Sequence, residues 1–134
     1  MNTKLLIITI TILLVLSGCS VFPPEYDNNE YLLFAHLDTH SRFLREECAN
    51  PLIARRRLDL MAWDAELLVS YSFFLPRNSE IFEIAKILAE DVSEMIDRYD
   101  DGNVPSVTYC KIKANAFTTK ARRALVSIGD MQTE

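Results

Sequence analysis

Four amphipathic segments of helical period, separated by breaks rich in proline or in Asp, Asn and Gly, predict an all-α domain of four helices. Of the 134 residues 49% are hydrophobic, enough to build a core and too many for a disordered chain. Beyond residue 18 the only glycines are Gly102 and Gly129, and both fall at expected helix ends. No internal repeat or low-complexity tract divides the chain, so one domain is expected.

The first segment, about residues 29 to 49, places Leu33, Leu37, His40, Ser41, Leu44 and Cys48 on one face, and stops where Asn50-Pro51 disfavours further helix. The second opens on Pro51, a favoured first-turn residue, and runs to Leu75, before Pro76-Arg77-Asn78. Its stretch from 58 to 75 is apolar on nearly all sides. That pattern predicts the most buried helix of the four, packed by several neighbours.

The third segment, residues 79 to 100, has the cleanest stripe: Ile81, Ile84, Ala85, Leu88, Val92, Met95, Ile96 and Tyr99. Asn78 or Ser79 is the expected N-cap, Glu80 and Glu83 complement the helix dipole, and Asp100-Asp101-Gly102-Asn103 is the stop. The fourth starts at Ser106 or Thr108 and carries Val107, Cys110, Ala114, Phe117, Ala121, Ala124, Leu125 and Ile128 inward. Gly129 is its expected C-cap. Its alanines suggest close approach to a neighbour. Connections of a few residues favour an up-down-up-down bundle; an irregular orthogonal array is the alternative, because stripes alone do not fix crossing angles.

The start of the chain has a different character. Lys4 precedes an apolar run, residues 5 to 16, that ends in Leu16-Ser17-Gly18-Cys19. A cationic start, about a dozen apolar residues and small residues before a cut are the features of an export signal, and the run is shorter than the roughly 20 apolar residues that span a bilayer. The four residues resemble the lipobox of bacterial lipoproteins with a type II signal peptide. That resemblance implies removal of residues 1 to 18 and a diacylglycerol and an N-acyl chain, such as palmitate, on Cys19, and two or more chains anchor stably. Similarity to enterobacterial lipoproteins, in which Asp after the lipidated Cys directs retention in the inner membrane, adds a further implication. Ser20 occupies that position here, so in a Gram-negative host the expected place is the outer membrane, facing the periplasm. The leader also resembles those of small lipoproteins that bacteria, plasmids and phages deploy at the envelope, including surface-exclusion and lysis factors. The rest of the chain lacks the extended, proline-rich character of small outer-membrane spanin subunits.

The expected organisation is therefore a leader, 1 to 18, a lipidated Cys19 with a tether to residue 28, and a helical domain, 29 to 134. Pro23-Pro24 keeps the tether extended, and its nine residues after Cys19 reach at most about 30 Å. Phe22 and Tyr26 have two places open to them, the lipid headgroups or the domain surface. With Cys19 assigned to lipid, Cys48 and Cys110 have one intramolecular pairing available in an oxidising periplasm. A disulfide is expected there, tying the end of the first helix to the start of the fourth. The two lie at the same end of an up-down bundle. A redox role is disfavoured, since no C-x-x-C context exists.

The net charge of −5 moves to −6 when Lys4 leaves with the leader, and such a chain has no basic face for nucleic acid. His36 and His40 stand at the i, i+4 spacing that lets two imidazoles meet one metal, but Leu37 occupies the place of a general base and no third ligand is identifiable beyond, loosely, Asp38 or a distant carboxylate. Two histidines lining a helix face is the simpler reading, and no cofactor beyond the lipid is expected. The run Asp97-Arg98-Tyr99-Asp100-Asp101-Gly102 lacks the alternating oxygen ligands of a calcium loop. Arg55-Arg56-Arg57, with Arg42 and Arg45, reads as solvated surface paired with Asp59, Asp38 and Glu46 more than as a lipid-headgroup site.

No nucleophile motif appears, so an enzyme is not expected. The expectation is a membrane-anchored interaction or structural module that meets another envelope protein or its own copies. The alternative is a pocket for a small apolar or lipid-like ligand between helices, lined by Trp63, Tyr71, Phe73, Phe74 and Phe117.

Overall fold

The computed structural model describes residues 27–130 apart from 77 and 103; the leader, Cys19, Phe22, Tyr26 and the residues after Asp130 lie outside it. Four helices follow one another: α1 Asn28–Glu47, α2 Pro51–Phe74, α3 Ser79–Asp100 and α4 Val107–Asp130. They form an up-down-up-down bundle in which each helix packs on its two neighbours around a ring, most extensively α1 on α4 and least α3 on α4. Antiparallel order is visible in the cross-helix bonds. The start of α2 meets the end of α3 through Arg55 and Asp100, and Lys113 and Lys120 of α4 meet Glu94 and Asp91 of α3 in reversed order.

Local chemistry accounts for the boundaries. Asp27 caps α1, its Oδ1 accepting from Asn29 N and Glu30 N at 2.9 Å each, which satisfies two of the donors left free at a helix start. Asn50 caps α2 by accepting from Ile53 N, with Pro51 in the first turn. Ser106 accepts from Tyr109 N at 3.2 Å and starts α4. After α3 the chain turns through Gly102 at φ 74°, a left-handed conformation that glycine adopts without a Cβ clash.

Gly129, in contrast, is not a C-cap. It lies inside α4, which runs on to Asp130 with no left-handed residue there. Asn78 stands at the N-cap position of α3, but its side chain makes no capping bond; its amide turns inward to a buried carboxylate instead.

The core runs the length of the bundle through fully buried Phe34, Leu37, Leu44, Leu58, Met61, Leu68, Leu88, Met95, Phe117 and Ile128, each worth about 1.5–3 kcal/mol of transfer free energy. α1 is rotated slightly from the expected face, with Phe34 rather than Leu33 deepest. Val107, expected inward, is exposed in the first turn of α4. α4 buries Ala114, Ala121 and Ala124, and on the α1–α4 seam Ser41 Oγ lies 2.7 Å from Thr118 Oγ1.

Cys48 and Cys110 form a disulfide between the end of α1 and the start of α4, closing 62 residues of chain. It staples the heaviest helix pair at one end. Replacing both cysteines with alanine is expected to lower stability by about 4 kcal/mol on the chain-entropy view, with the helical content retained; urea unfolding followed by circular dichroism measures it.

Candidate interaction surface

The second helix contradicts its expected role as the most buried of the four. Ala54, Leu58, Met61, Ala65, Leu68 and Ser72 face the core. On the opposite side, Leu52, Leu60, Trp63, Leu67 and Phe74 recur at helical spacing and are exposed, Trp63 by 71% and Phe74 by 81%. A helix in a four-membered ring turns one side inward, so an apolar pattern on both sides leaves one of them uncovered. Arg56 falls on this same face between Leu52 and Leu60, and Ser70 between Leu67 and Phe74, so the continuous apolar part is Leu60, Trp63 and Leu67. Asp59 and Glu66 border it, and Trp63, Glu66, Leu67 and Ser70 line a shallow groove along it.

The aromatic residues expected to line one pocket are thus dispersed. Phe117 is a core residue of α4, while Trp63, Phe73 and Phe74 lie on the outside. Tyr71 is half-buried, its hydroxyl donating to Asp27 Oδ2 at 3.1 Å and accepting from Asn29 Nδ2 at 3.0 Å. A different groove, of about 310 Å³, opens between α3 and α4 where those helices pack least; Ile84, Ile87, Leu88 and Ala124 form its apolar wall, with Lys120, Arg123 and Ser127 beside them.

Three polar clusters pin the helices to one another. Glu30 is buried near the α1 start, and its Oε1 accepts from Ser72 Oγ of α2 and from Asn78 Nδ2 at 2.6 Å. Asp38, also buried, receives Arg42 of its own helix at 3.2 Å and Arg122 of α4 at 3.3 Å. Glu47 takes both Nε and Nη2 of Arg57, at 2.9 and 2.8 Å, in a two-pronged pairing between α1 and α2.

The arginine run is spread around α2, and Arg55 and Arg57 are used for pairing. Arg55 grips Asp100 of α3 with two nitrogens, at 2.8 and 3.0 Å, and also pairs with Asp59. Arg42 pairs with Asp38 and Arg45 with Glu46. Arg57 reaches furthest: besides Glu47 it lies over the Phe43 ring and donates to His40 Nδ1 at 2.9 Å.

His36 is exposed, whereas His40 is half-buried with both ring nitrogens engaged. Because guanidinium only donates, Nδ1 of His40 is the acceptor and Nε2 carries the hydrogen towards Asp64 Oδ2, 3.4 Å away. Holding a metal at Nδ1 would break the Arg57 bond. Among the described residues no group of three or more His, Cys, Asp or Glu side chains is placed to hold a metal ion. Cys19 lies outside the described residues.

Two signals in the sequence pointed at parts that pattern reading missed. Asp27 followed three residues later by Glu30 has the spacing of a capping pair, though Glu30 turns inward rather than back to the cap. The double-sided apolar pattern of α2 was visible too, but periodicity does not say whether a second face is covered.

Burial pushes the His40 pKa below its ordinary 6.5; Asp64 opposes this, while Arg57 and His36 add to it. The hydrogen bond from Arg57 holds the Glu47 carboxyl below its ordinary 4.5. In both cases the unfolded chain binds more protons than the folded one as pH falls, so acid favours unfolding. Stability is expected to be complete above pH 6.5, to fall as pH drops through the lowered His40 value, and to fall again below pH 4.5 as Glu47 protonates. Urea unfolding across this range checks it, and His40→Gln is expected to remove the first fall and leave the second. No protein-family model, no curated protein and no solved structure matches this chain.

Proposed function

We propose that this chain is a lipid-anchored, non-enzymatic interaction module of the bacterial cell envelope, acylated at Cys19, whose contact surface is the outer face of α2. For a Gram-negative host the reading places it on the outer membrane, facing the periplasm. The leader motif Leu16-Ser17-Gly18-Cys19 supports the anchor. One observation carries the contact surface: Trp63 stands 71% exposed between exposed Leu60 and Leu67 on a face turned away from the core.

Leaving a tryptophan and flanking leucines in water is unfavourable by about 25 cal/mol per Å² of apolar surface, and contiguous exposed apolar patches mark association sites. Tryptophan framed by aliphatic side chains is also the usual composition of the few residues that dominate binding. The continuous apolar part, Leu60, Trp63 and Leu67, is one helix wide, with Arg56 at one end and Asp59 and Glu66 along its margin. Its complement is an amphipathic helix of a second envelope protein, laid along α2 with its own apolar face inward.

A photo-crosslinking residue in place of Trp63, in the acylated chain within its native membrane, is expected to give one discrete protein adduct. Leu60→Ser with Leu67→Ser is expected to abolish the adduct while leaving the unfolding midpoint unchanged, and the same probe at exposed Asn115 of α4 is expected to give none. Equal labelling from Asn115 and from position 63, or none from position 63, contradicts the assignment.

A further inference from the structure

The end of the bundle at which the chain emerges from its tether carries a second exposed apolar feature, separate from the middle of the α2 stripe. α2 finishes there, and Phe73 and Phe74 stand 65% and 81% exposed on its last turn. They pack edge to face, with ring centroids 5.2 Å apart, and Phe73 also meets Phe82 of α3 at 5.6 Å. Lys86 lies over the Phe82 ring, 5.5 Å from its centroid. Exposed Pro76 follows in the turn.

The point where the tether joins is fixed to this same spot. Asp27, the first described residue, caps α1 with one carboxylate oxygen and accepts a hydrogen bond from Tyr71 with the other, at 3.1 Å. Tyr71 is three residues before Phe74 on the same helix, or about 5 Å along its axis. Between Cys19 and Asp27 the sequence has eight peptide steps, a reach of at most about 30 Å. The opposite end of the bundle, with the disulfide, lies about 36 Å further along the 24 residues of α2.

We propose that Phe73 and Phe74, backed by Phe82, form a second point of membrane contact that enters the headgroup layer and stands the bundle upright on the bilayer. The inference rests on the lipoprotein reading of Cys19 and adds an orientation to it. Lipid is the occupant because the short tether keeps this end, the one that carries the Phe pair, within about 30 Å of the bilayer surface. Aromatic rings are favoured at that depth, where an apolar body meets a polar boundary. One acyl-bearing residue alone leaves the domain free to tumble at the surface, and a second contact removes that freedom. The outer face of α2 then rises from the membrane, with Trp63 eleven residues, or about 16 Å, above Phe74.

The test uses the full acylated protein in vesicles of phosphatidylethanolamine and phosphatidylglycerol with bromine on the upper acyl chain, which quenches tryptophan on contact. Trp63 is the sole tryptophan, so Trp63→Phe provides a silent background. In that background Phe74→Trp is expected to lose most of its emission and to shift to the blue. Native Trp63, and Leu52→Trp at the far end in the silent background, are expected to keep theirs. Phe74 and Leu52 are 81% and 75% exposed, so neither change removes a core contact, and an unchanged thermal transition verifies the fold. Mass spectrometry of the N-terminal peptide separates the two levels of the account. An unmodified Cys19 overturns the lipoprotein reading and this orientation with it. Acylated Cys19 with no quenching at position 74, or equal quenching at 74, 63 and 52, overturns the orientation alone and leaves the Phe pair to a protein contact.

Discussion

A helix in a ring of four presents only one side to the bundle axis, and the arrangement of this molecule follows from how each helix meets that limit. α1, α3 and α4 satisfy it by burying one main apolar face each, and they leave only scattered apolar side chains outside, such as Phe43, Ile87, Ile112 and Val126. α2 does not. Its inner face, centred on Leu58, Met61, Ala65 and Leu68, is consumed by the core, and among the described residues its outer face has no helix left to cover it. The exposed stripe is thus a remainder set by topology: no rotation of α2 could bury both faces in a ring of four.

Polar contacts decide which face turns inward and hold the choice. Buried Glu30 takes donors from Ser72 of α2 and from Asn78 in the turn before α3; rotating α2 by half a turn would remove the Ser72 bond, at a cost of about 1–3 kcal/mol for a buried polar group left short of a partner. At the other end, Arg57 and Glu47 lock α1 to α2, and the disulfide locks α1 to α4. Between these ends the Ser41–Thr118 and Asp38–Arg122 contacts fix the α1–α4 seam. The α3–α4 pair shares fewer such ties apart from surface ion pairs, and there the bundle opens into its groove.

Most of the architecture was legible in the sequence because it depends on local rules. Periodicity located all four helices, and α3, Ser79–Asp100, has the bounds expected of it. Elimination paired Cys48 with Cys110. What could not be read depends on tertiary choices. Asn78 has the chemistry of a cap, yet a buried carboxylate nearby is the stronger claim on its amide. Gly129 sits after an apolar stripe as a C-cap would, but the helix continues through it. Trp63, Phe74 and Phe117 looked alike as aromatic members of helical stripes, and only packing separates the one that fills the core from the two left outside. His36 and His40 share a helix face in the sequence, and only the approach of Arg57 and Asp64 from α2 shows what His40 does.

Leu67 and Leu68 are neighbours in sequence with opposite fates: Leu67 is 46% exposed on the outer stripe and Leu68 is fully buried in the core. Substituting each with alanine in the monomeric, unacylated chain compares the two faces of α2 with the same chemical change. Chemical unfolding is expected to show a loss of about 2–5 kcal/mol for Leu68→Ala and a change within about 0.5 kcal/mol for Leu67→Ala. A loss at Leu67 as large as that at Leu68 would mean that the outer face is already covered within the single chain, and it would contradict the assignment of that face to a partner.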